Sequence, residues 1–454
     1  MLSLKVIKKL KKIVGKEYIS VHQEDLLSYS YDATQVTSLP EAVVFPGSTQ
    51  EISAIMKLAN QYQFPVLPRG AGSGMSGGAV PIKGGVVLTM SRLNRILEID
   101  ERNMYVWVEP GVVTGDLQEA VAKKGLFYPP DPASLAFSTI GGNVAECAGG
   151  ARAVKYGVTK DYVMALEVVL PTGEIIHTGH KTIKGVTGYN LTPLFIGSEG
   201  TLGIFTKILL RLLPLPPAKA TLLLGLPQLE LLPHLLNKFL RFPEPLTAIE
   251  FIDDLCIQCV ENHFQLGLPA VEGLLLLEVD GSEKVVEIIV QQVLDMVKTS
   301  GVKVIELAWA EKAKKLWEVR RAISPAVFQL GSKKSSHDIV VPRAQILNMV
   351  KKIQALRQDY GLPVLCFGHI GDGNLHVNIM YDETEEVKAQ TVTEKVIKAA
   401  LTLGGTISGE HGIGLTKARF LSWEINQPTL KLMQQLKQAL DPNNILNPGK
   451  IFLE

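Results

Sequence analysis

The chain has 454 residues, 46% of them hydrophobic, and a formal net charge of +1. That length exceeds one ordinary core and predicts two or three domains. The balanced charge gives no reason to propose nucleic acid as a partner, and no apolar run reaches the length of a membrane span, so a soluble globular protein is expected.

The opening segment MLSLKVIKKLKKIVGKEYIS is basic and amphipathic. It lacks the apolar stretch and small-residue cleavage site of a secretory signal. It reads as a first helix packed on its domain, with a membrane-surface helix as the alternative. Next, FPVLP and VVLTM read as strands on either side of PRGAGSGMSGGAVP, Pro68–Pro81. This stretch contains Gly72-x-Gly74-x-x-Gly77, the letters of a dinucleotide fingerprint. The fingerprint needs a helix directly after its glycines, so that the helix N-terminus faces a pyrophosphate. Pro81, Gly84 and Gly85 leave no room for one, and a Rossmann NAD site is not expected. Dense glycine suits close approach of backbone, and successive N–H groups in such a turn can hold an anion without a helix. Phosphate held in that other way is the expectation.

From Pro129 to Val163, PPDPASLAFSTIGGNVAECAGGARAVKYGVTKDYV mixes small residues, hydroxyls and glycine pairs. This is poor core material and good material for backbone lying against a large flat ligand. GSEGTLGIFTKI resumes the theme, and the proline-rich RLLPLPPAKA, Arg211–Ala220, marks a boundary. Beyond it, strand-like TLLLGLP, LTAIEFI, GLLLLEVD and VKVIELA alternate with helix-like segments at 229–242, 283–299 and 311–330. A sheet covered by helices follows from that alternation. Cys147, Cys256, Cys259 and Cys366 form no disulfide framework. Cys256-x-x-Cys259 lies in helix-like DDLCIQCVENHF and reads as two core positions, since no second CxxC completes a zinc site. The pattern fits a reducing cytosol, and four scattered cysteines do not make an iron–sulfur centre. In CFGHIGDGNLHVNIM, Gly371-Asp372-Gly373 is a turn signal between two strand-like pieces. A fold-back there brings His369 and His376 together, with His376 and Asn378 on one strand face. SGEHGIG then sets Glu410 and His411 in a glycine-rich loop.

The markers PRGAGSGMSGGAVP, STIGGNVAECAGG, GSEGTLGI, GHIGDGNLHVNI, SGEHGIG and DPNNILNPGK run in this order over nearly the whole chain. Together they resemble the FAD-dependent 2-hydroxy acid dehydrogenases of the vanillyl-alcohol-oxidase type, in the D-lactate dehydrogenase and glycolate oxidase FAD-subunit branch. The resemblance implies an α+β fold with a two-part FAD-binding domain. Residues 1–215 would form that domain, 216–410 an α/β substrate cap with a metal site, and 411–454 a segment rejoining the FAD domain. Arg69, Gly70, Ala71, Gly72 and Ser73 would lie along the FAD pyrophosphate. Ser138, Thr139, Gly142, Asn143 and Ala145 would line the flavin and its ribityl chain. Gly203 and Ile204 would approach the adenine end, and Asn447 would return from the C-terminus to the flavin. Some relatives attach FAD covalently through a histidine in the glycine loop. Ser73 stands at that position here and implies non-covalent FAD.

His369, His376 and Glu410 make a facial metal site with open positions; zinc is the first choice, and iron or manganese suits the same donors. In the implied mechanism the metal binds the substrate carboxylate and 2-hydroxyl, and hydride passes from C2 to flavin N5. His411 is the expected general base, because an imidazole titrates near neutral pH. Arg320 matches the family's carboxylate-binding arginine, whose planar fork donates two parallel hydrogen bonds. Ser324 shares its helix face, and Asn378 joins the catalytic set. Relatives acting on D-2-hydroxyglutarate place a lysine just before the DIVVP-type strand, where this chain has Ser336 and His337. That favours a small monocarboxylate, D-lactate or glycolate. D-2-hydroxyglutarate dehydrogenase is the alternative within the family, and a metal-dependent hydrolase using only the His/His/Glu cluster is the alternative outside it. A separate electron acceptor is expected, an iron–sulfur subunit or an electron-transferring flavoprotein. The expected location is the cytoplasm, and contact with the inner face of the membrane stays open.

Overall fold

The computed structural model describes residues 2–34 and 36–453. The chain forms two compact units: residues 1–149, 158–215 and 410–454 make the first, and residues 150–157 and 216–409 the second. Among the described residues, no helix is long and apolar enough to cross a membrane.

In the first unit the Leu4–Val14 helix begins at Ser3, whose hydroxyl accepts from the Val6 N–H. Val6, Leu10 and Val14 lie one turn apart and are buried in the core with Ile52, Ile55 and Met56 of the Thr49–Tyr62 helix. A four-stranded sheet runs in the order Ile19–Ser20, Ala42–Val44, Val86–Thr89, Val66–Arg69. Its last three strands are parallel. No helix lies between Val66–Arg69 and Val86–Thr89, so the glycine stretch is a loop, as its prolines and glycines predict. A second sheet, antiparallel throughout, has the order Ile96–Asp100, Tyr105–Val108, Ile204–Arg211, Val163–Val169, Ile175–Gly179. Near the C-terminus the Val66 N–H donates to the Ile445 carbonyl at 2.9 Å, and Leu446 is fully buried in the same core.

The second unit is built on one seven-stranded sheet. Its order is Lys303–Trp309, Ala218–Leu226, Gly273–Gly281, Ala248–Asp253, Val364–His369, Asn374–Tyr381, Lys333–Val340, and every neighbouring pair is antiparallel. Period-two alternation gives each strand two faces. One face carries Leu222, Leu224, Phe251, Leu277, Val377 and Ile379 and packs on the Leu232–Phe239, Glu283–Lys298, Ile346–Tyr360 and Glu386–Thr402 helices. The other carries Leu223, Leu276, Phe367 and Met380 and packs on the Asp254–Phe264 and Ala313–Ala326 helices. Cys256 and Cys259 are buried in this second layer, and burial raises the Cys259 thiol to about 11. The single helix expected at 311–330 is instead divided: Ala313–Ala326 is α-helical, flanked by 3-10 turns at Ala310–Lys312 and Val327–Leu330. Pro325 lacks the N–H that would continue the ladder.

Candidate active site

The glycine loop and the segments expected to line a flavin converge on one cleft of ≈ 230 Å³ in the first unit. Arg69, Gly70, Ala71, Gly72 and Ser73 line it, as do Ser138, Thr139, Gly142, Asn143, Ala145, Gly203 and Ile204. Glu410 and His411 lie on its wall too, with His411 Nε2 4.0 Å from a Glu410 oxygen. A Cβ on Gly70 would lie 2.3 Å from Thr139 Oγ1, and Thr139 is itself fixed because its hydroxyl caps the Ile140–Glu146 helix at Gly142 N–H. A Cβ on Gly203 would lie 2.4 Å from Val168 Cγ1. At Gly74 the same position is nearly open, so a side chain there would occupy the cleft itself, and at Gly142 it would crowd Thr139 Oγ1 at 3.3 Å. The cradle therefore presents bare backbone to a large ligand, from the glycine loop and from the first turn of the Ile140–Glu146 helix, which fits a dinucleotide such as FAD.

Arg69, expected along the pyrophosphate, and Asn447, expected at the flavin, have hydrogen bonds to the protein. The Arg69 guanidinium donates to the carbonyls of Tyr31 (2.7 Å) and Ala79 (3.0 Å) and packs under Gly72. Burial lowers its pKa, with Asp32 opposing. It shapes the loop rather than offering its charge to the cleft. Asn447 is buried outside the cleft lining, and its amide donates to the carbonyls of Gly78 (3.1 Å) and Glu199 (2.9 Å). It clasps two lining segments together. Glu199 itself was not anticipated. Its two oxygens accept from Ile413 N–H at 2.7 Å and Gly414 N–H at 2.6 Å, which fixes the loop that carries His411. Burial raises this carboxyl, and those N–H bonds with Lys417 and Lys450 pull it back.

In the second unit the Gly371–Gly373 turn joins Val364–His369 to Asn374–Tyr381 as a hairpin, and the His369 and His376 Nε2 atoms meet at 3.3 Å. Glu250 stands opposite His369 in the neighbouring strand. Its Oε1 bonds His369 Nδ1 at 2.5 Å, and its Oε2 accepts from Arg320 Nε at 2.7 Å. Burial alone would raise this fully buried carboxyl, but the charges of His369 and Arg320 outweigh it and hold it at about 2. An ionised Glu250 keeps a proton on His369 Nδ1 and turns Nε2 toward His376. Facing imidazole nitrogens require a proton or a metal ion between them. A carboxylate behind the histidine is the usual outer support of a metal ligand, so the donor set fits a divalent cation. Arg320 stacks over Phe367 at 4.3 Å, and its two terminal nitrogens have no hydrogen-bond partner among the described residues. Ser324, one turn on, is exposed. Arg321 is exposed as well and donates to the Lys314 carbonyl at 3.2 Å. Asn378 lies two residues from His376 on the same face; it is 2% exposed, and its Oδ1 has no partner.

Sequence reasoning missed Glu250, Glu278 and Asp338, all on the sheet face of the histidines. Their signal was present: each is an acid in a strand segment of buried residues, and a buried charge needs a partner. Trp317 Nε1 donates to Glu278 at 2.8 Å. Asp338 sits opposite His376 and accepts from the Gly409 N–H at 2.9 Å, one residue before Glu410.

A glycine-lined cradle in one unit and a histidine–carboxylate–arginine cluster in the other describe a cofactor-dependent enzyme. The comparisons make this specific. Residues 40–179 match the FAD binding domain model, and residues 215–451 match the C-terminal domain of FAD linked oxidases. The glycolate oxidase subunit GlcD of Bacillus subtilis is 41% identical, covering 100% of this chain and 97% of the relative. The D-lactate dehydrogenase of Anaerostipes hadrus is 38% identical (98% and 97%), and the D-2-hydroxyglutarate dehydrogenase of Stutzerimonas stutzeri is 33% identical (98% and 98%). A substrate-bound p-cresol methylhydroxylase structure shares the fold at a TM-score of 0.83 and 19% identity, over 99% of this chain and 96% of that one. The chain belongs to the FAD-linked oxidases, in the vanillyl-alcohol-oxidase-type branch of FAD-dependent 2-hydroxy acid dehydrogenases.

Proposed function

We propose that this enzyme oxidises a small D-2-hydroxy acid, D-lactate or glycolate, to the 2-oxo acid. The observation that carries this reading is the buried Glu250 bridge. It orients an imidazole pair and leaves the terminal nitrogens of Arg320 available for a carboxylate. FAD would be held non-covalently, because Ser73 offers no ring nitrogen to bond it, and would supply the acceptor for the hydride equivalent that leaves C2. His369 and His376 would hold a divalent metal, zinc by preference, which would supply Lewis acidity at the substrate hydroxyl. Glu410 is the third donor; it directly follows Gly409, which Asp338 holds beside His376. Arg320 binds the substrate carboxylate through its two terminal nitrogens. His411 takes the hydroxyl proton as C2 loses hydride, which balances the conversion of alcohol to ketone. Asn378 and Ser324 supply further polar contacts to the substrate. The GlcD relatives are named as subunits of a glycolate oxidase, which supports a separate acceptor for this chain, an iron–sulfur subunit or an electron-transferring flavoprotein.

One observation favours a second substrate. Lys334 lies on the face of His376 and Asn378, two residues before Ser336, and burial lowers its pKa. A lysine there suits the distal carboxylate of D-2-hydroxyglutarate. Anaerobic flavin bleaching decides between these readings, with D-lactate, L-lactate, glycolate and D-2-hydroxyglutarate offered separately to FAD- and metal-replete protein. Fast bleaching by D-lactate or glycolate is the expected result. Preferential bleaching by D-2-hydroxyglutarate, abolished by Lys334→Met, would establish the second reading. No bleaching by any of the four would overturn both.

A further inference from the structure

The Leu4–Val14 helix, LKVIKKLKKIV, carries five lysines and no acid, in a chain whose net charge is +1. Its apolar stripe of Val6, Leu10 and Val14 is already spent in the core. At ~100° per residue, Lys8 and Lys12 point away from that stripe, with Lys5 and Lys11 on either side. Leu4, on the same outer face, is 78% exposed. Lys5 and Lys9 lean over the Tyr62 ring at 5.6 and 5.3 Å, while Lys8, Lys11 and Lys12 make no ion pair among the described residues. Positive charge is therefore concentrated and unneutralised on one face of one helix.

We propose that this face docks on an anionic membrane surface, reversibly and without insertion. Clusters of four to eight lysines on an amphipathic helix suit anionic lipid, each adding to the attraction near the surface. A specific protein interface is built differently: lysine is depleted there, and aromatic or arginine anchors seated in pockets carry the affinity. This face has neither arginine nor aromatic residue of its own. Because the apolar stripe is committed to the core, the helix cannot roll into the acyl region as a monotopic helix does. Attraction is electrostatic, with Leu4 the one apolar residue at the contact.

Sedimentation of the full-length holoprotein with vesicles tests this. Phosphatidylglycerol-containing vesicles should bind it at low ionic strength and release it near ~0.2 M salt, as the Debye length shortens; phosphatidylcholine vesicles should not bind. The variant Lys8→Glu/Lys11→Glu/Lys12→Glu should lose vesicle affinity by roughly a hundredfold or more, with flavin content and dye-linked turnover unchanged. A neutral Lys8→Gln/Lys11→Gln/Lys12→Gln protein should fall between the two. Failure of wild type to bind anionic vesicles would overturn the proposal, as would equal binding by the charge-reversed variant. Salt-sensitive capture of an acidic acceptor protein by a wild type that ignores vesicles would overturn it in favour of a protein partner.

Discussion

Replacing Glu250 by alanine removes the anion that joins His369 to Arg320. Glu250 is fully buried and the Arg320 side chain is 15% exposed, so water cannot readily replace the lost partner. Removing one member of a buried pair and stranding the other costs ~3–5 kcal/mol. At ~2–4 °C per kcal/mol for a unit of this size, the midpoint of thermal unfolding should fall by roughly 6–20 °C. The carboxyl sits at about 2 in the folded chain, against an ordinary 4.5. Its folded value is depressed, so its contribution is complete above 4.5 and is lost as pH falls toward 2; the wild-type advantage should be full at pH 7. Glu250→Gln, which keeps the shape and one acceptor, should unfold at an intermediate temperature and bind metal about 10–100-fold more weakly. Calorimetry at pH 7 and metal titration of both variants are the assays. A Glu250→Ala midpoint within about 2 °C of wild type would refute the bridge as the support of this site.

Gly70→Ala should fold but retain little FAD, read as the ratio of flavin to protein absorbance, because the new methyl meets Thr139 Oγ1 at 2.3 Å and Thr139 is held by its cap. His411→Ala should keep FAD and metal and lose flavin reduction by about 10²–10⁴-fold, the usual worth of a general base; normal reduction would remove His411 from the chemistry. Burial pushes the Lys450 amine down to about 8 from 10.5, with Asp32 and Glu199 opposing. Between those values the unfolded chain holds a proton that the folded chain has shed, so this group's contribution rises with pH. The stability difference between wild type and Lys450→Met should therefore move in favour of wild type from pH 8 to pH 10, and a difference independent of pH would contradict it.

The sequence by itself determined the local grammar of this protein. Pro81, Gly84 and Gly85 forbid a helix after the glycine loop, and none forms. Gly371-Asp372-Gly373 turns the chain tightly enough for two imidazoles to meet. Short apolar runs in LTAIEFI and GLLLLEVD predict strands, and the glycine-rich motifs carry the resemblance to a flavoprotein family. These signals are legible because backbone preference and hydrophobic period act within a few residues. Tertiary structure alone decided what pairs across the chain. Glu250 finds Arg320 70 residues away, and Glu199 fixes Gly414 at a separation of 215. Residues 150–157 join the second unit although their composition continues the first. Arg69 Nη1 and Asn447 Nδ2 donate to carbonyls of segments that line the cleft. A buried acid in a strand declares that it needs a partner, but only the order of strands and helices chooses which cation reaches it.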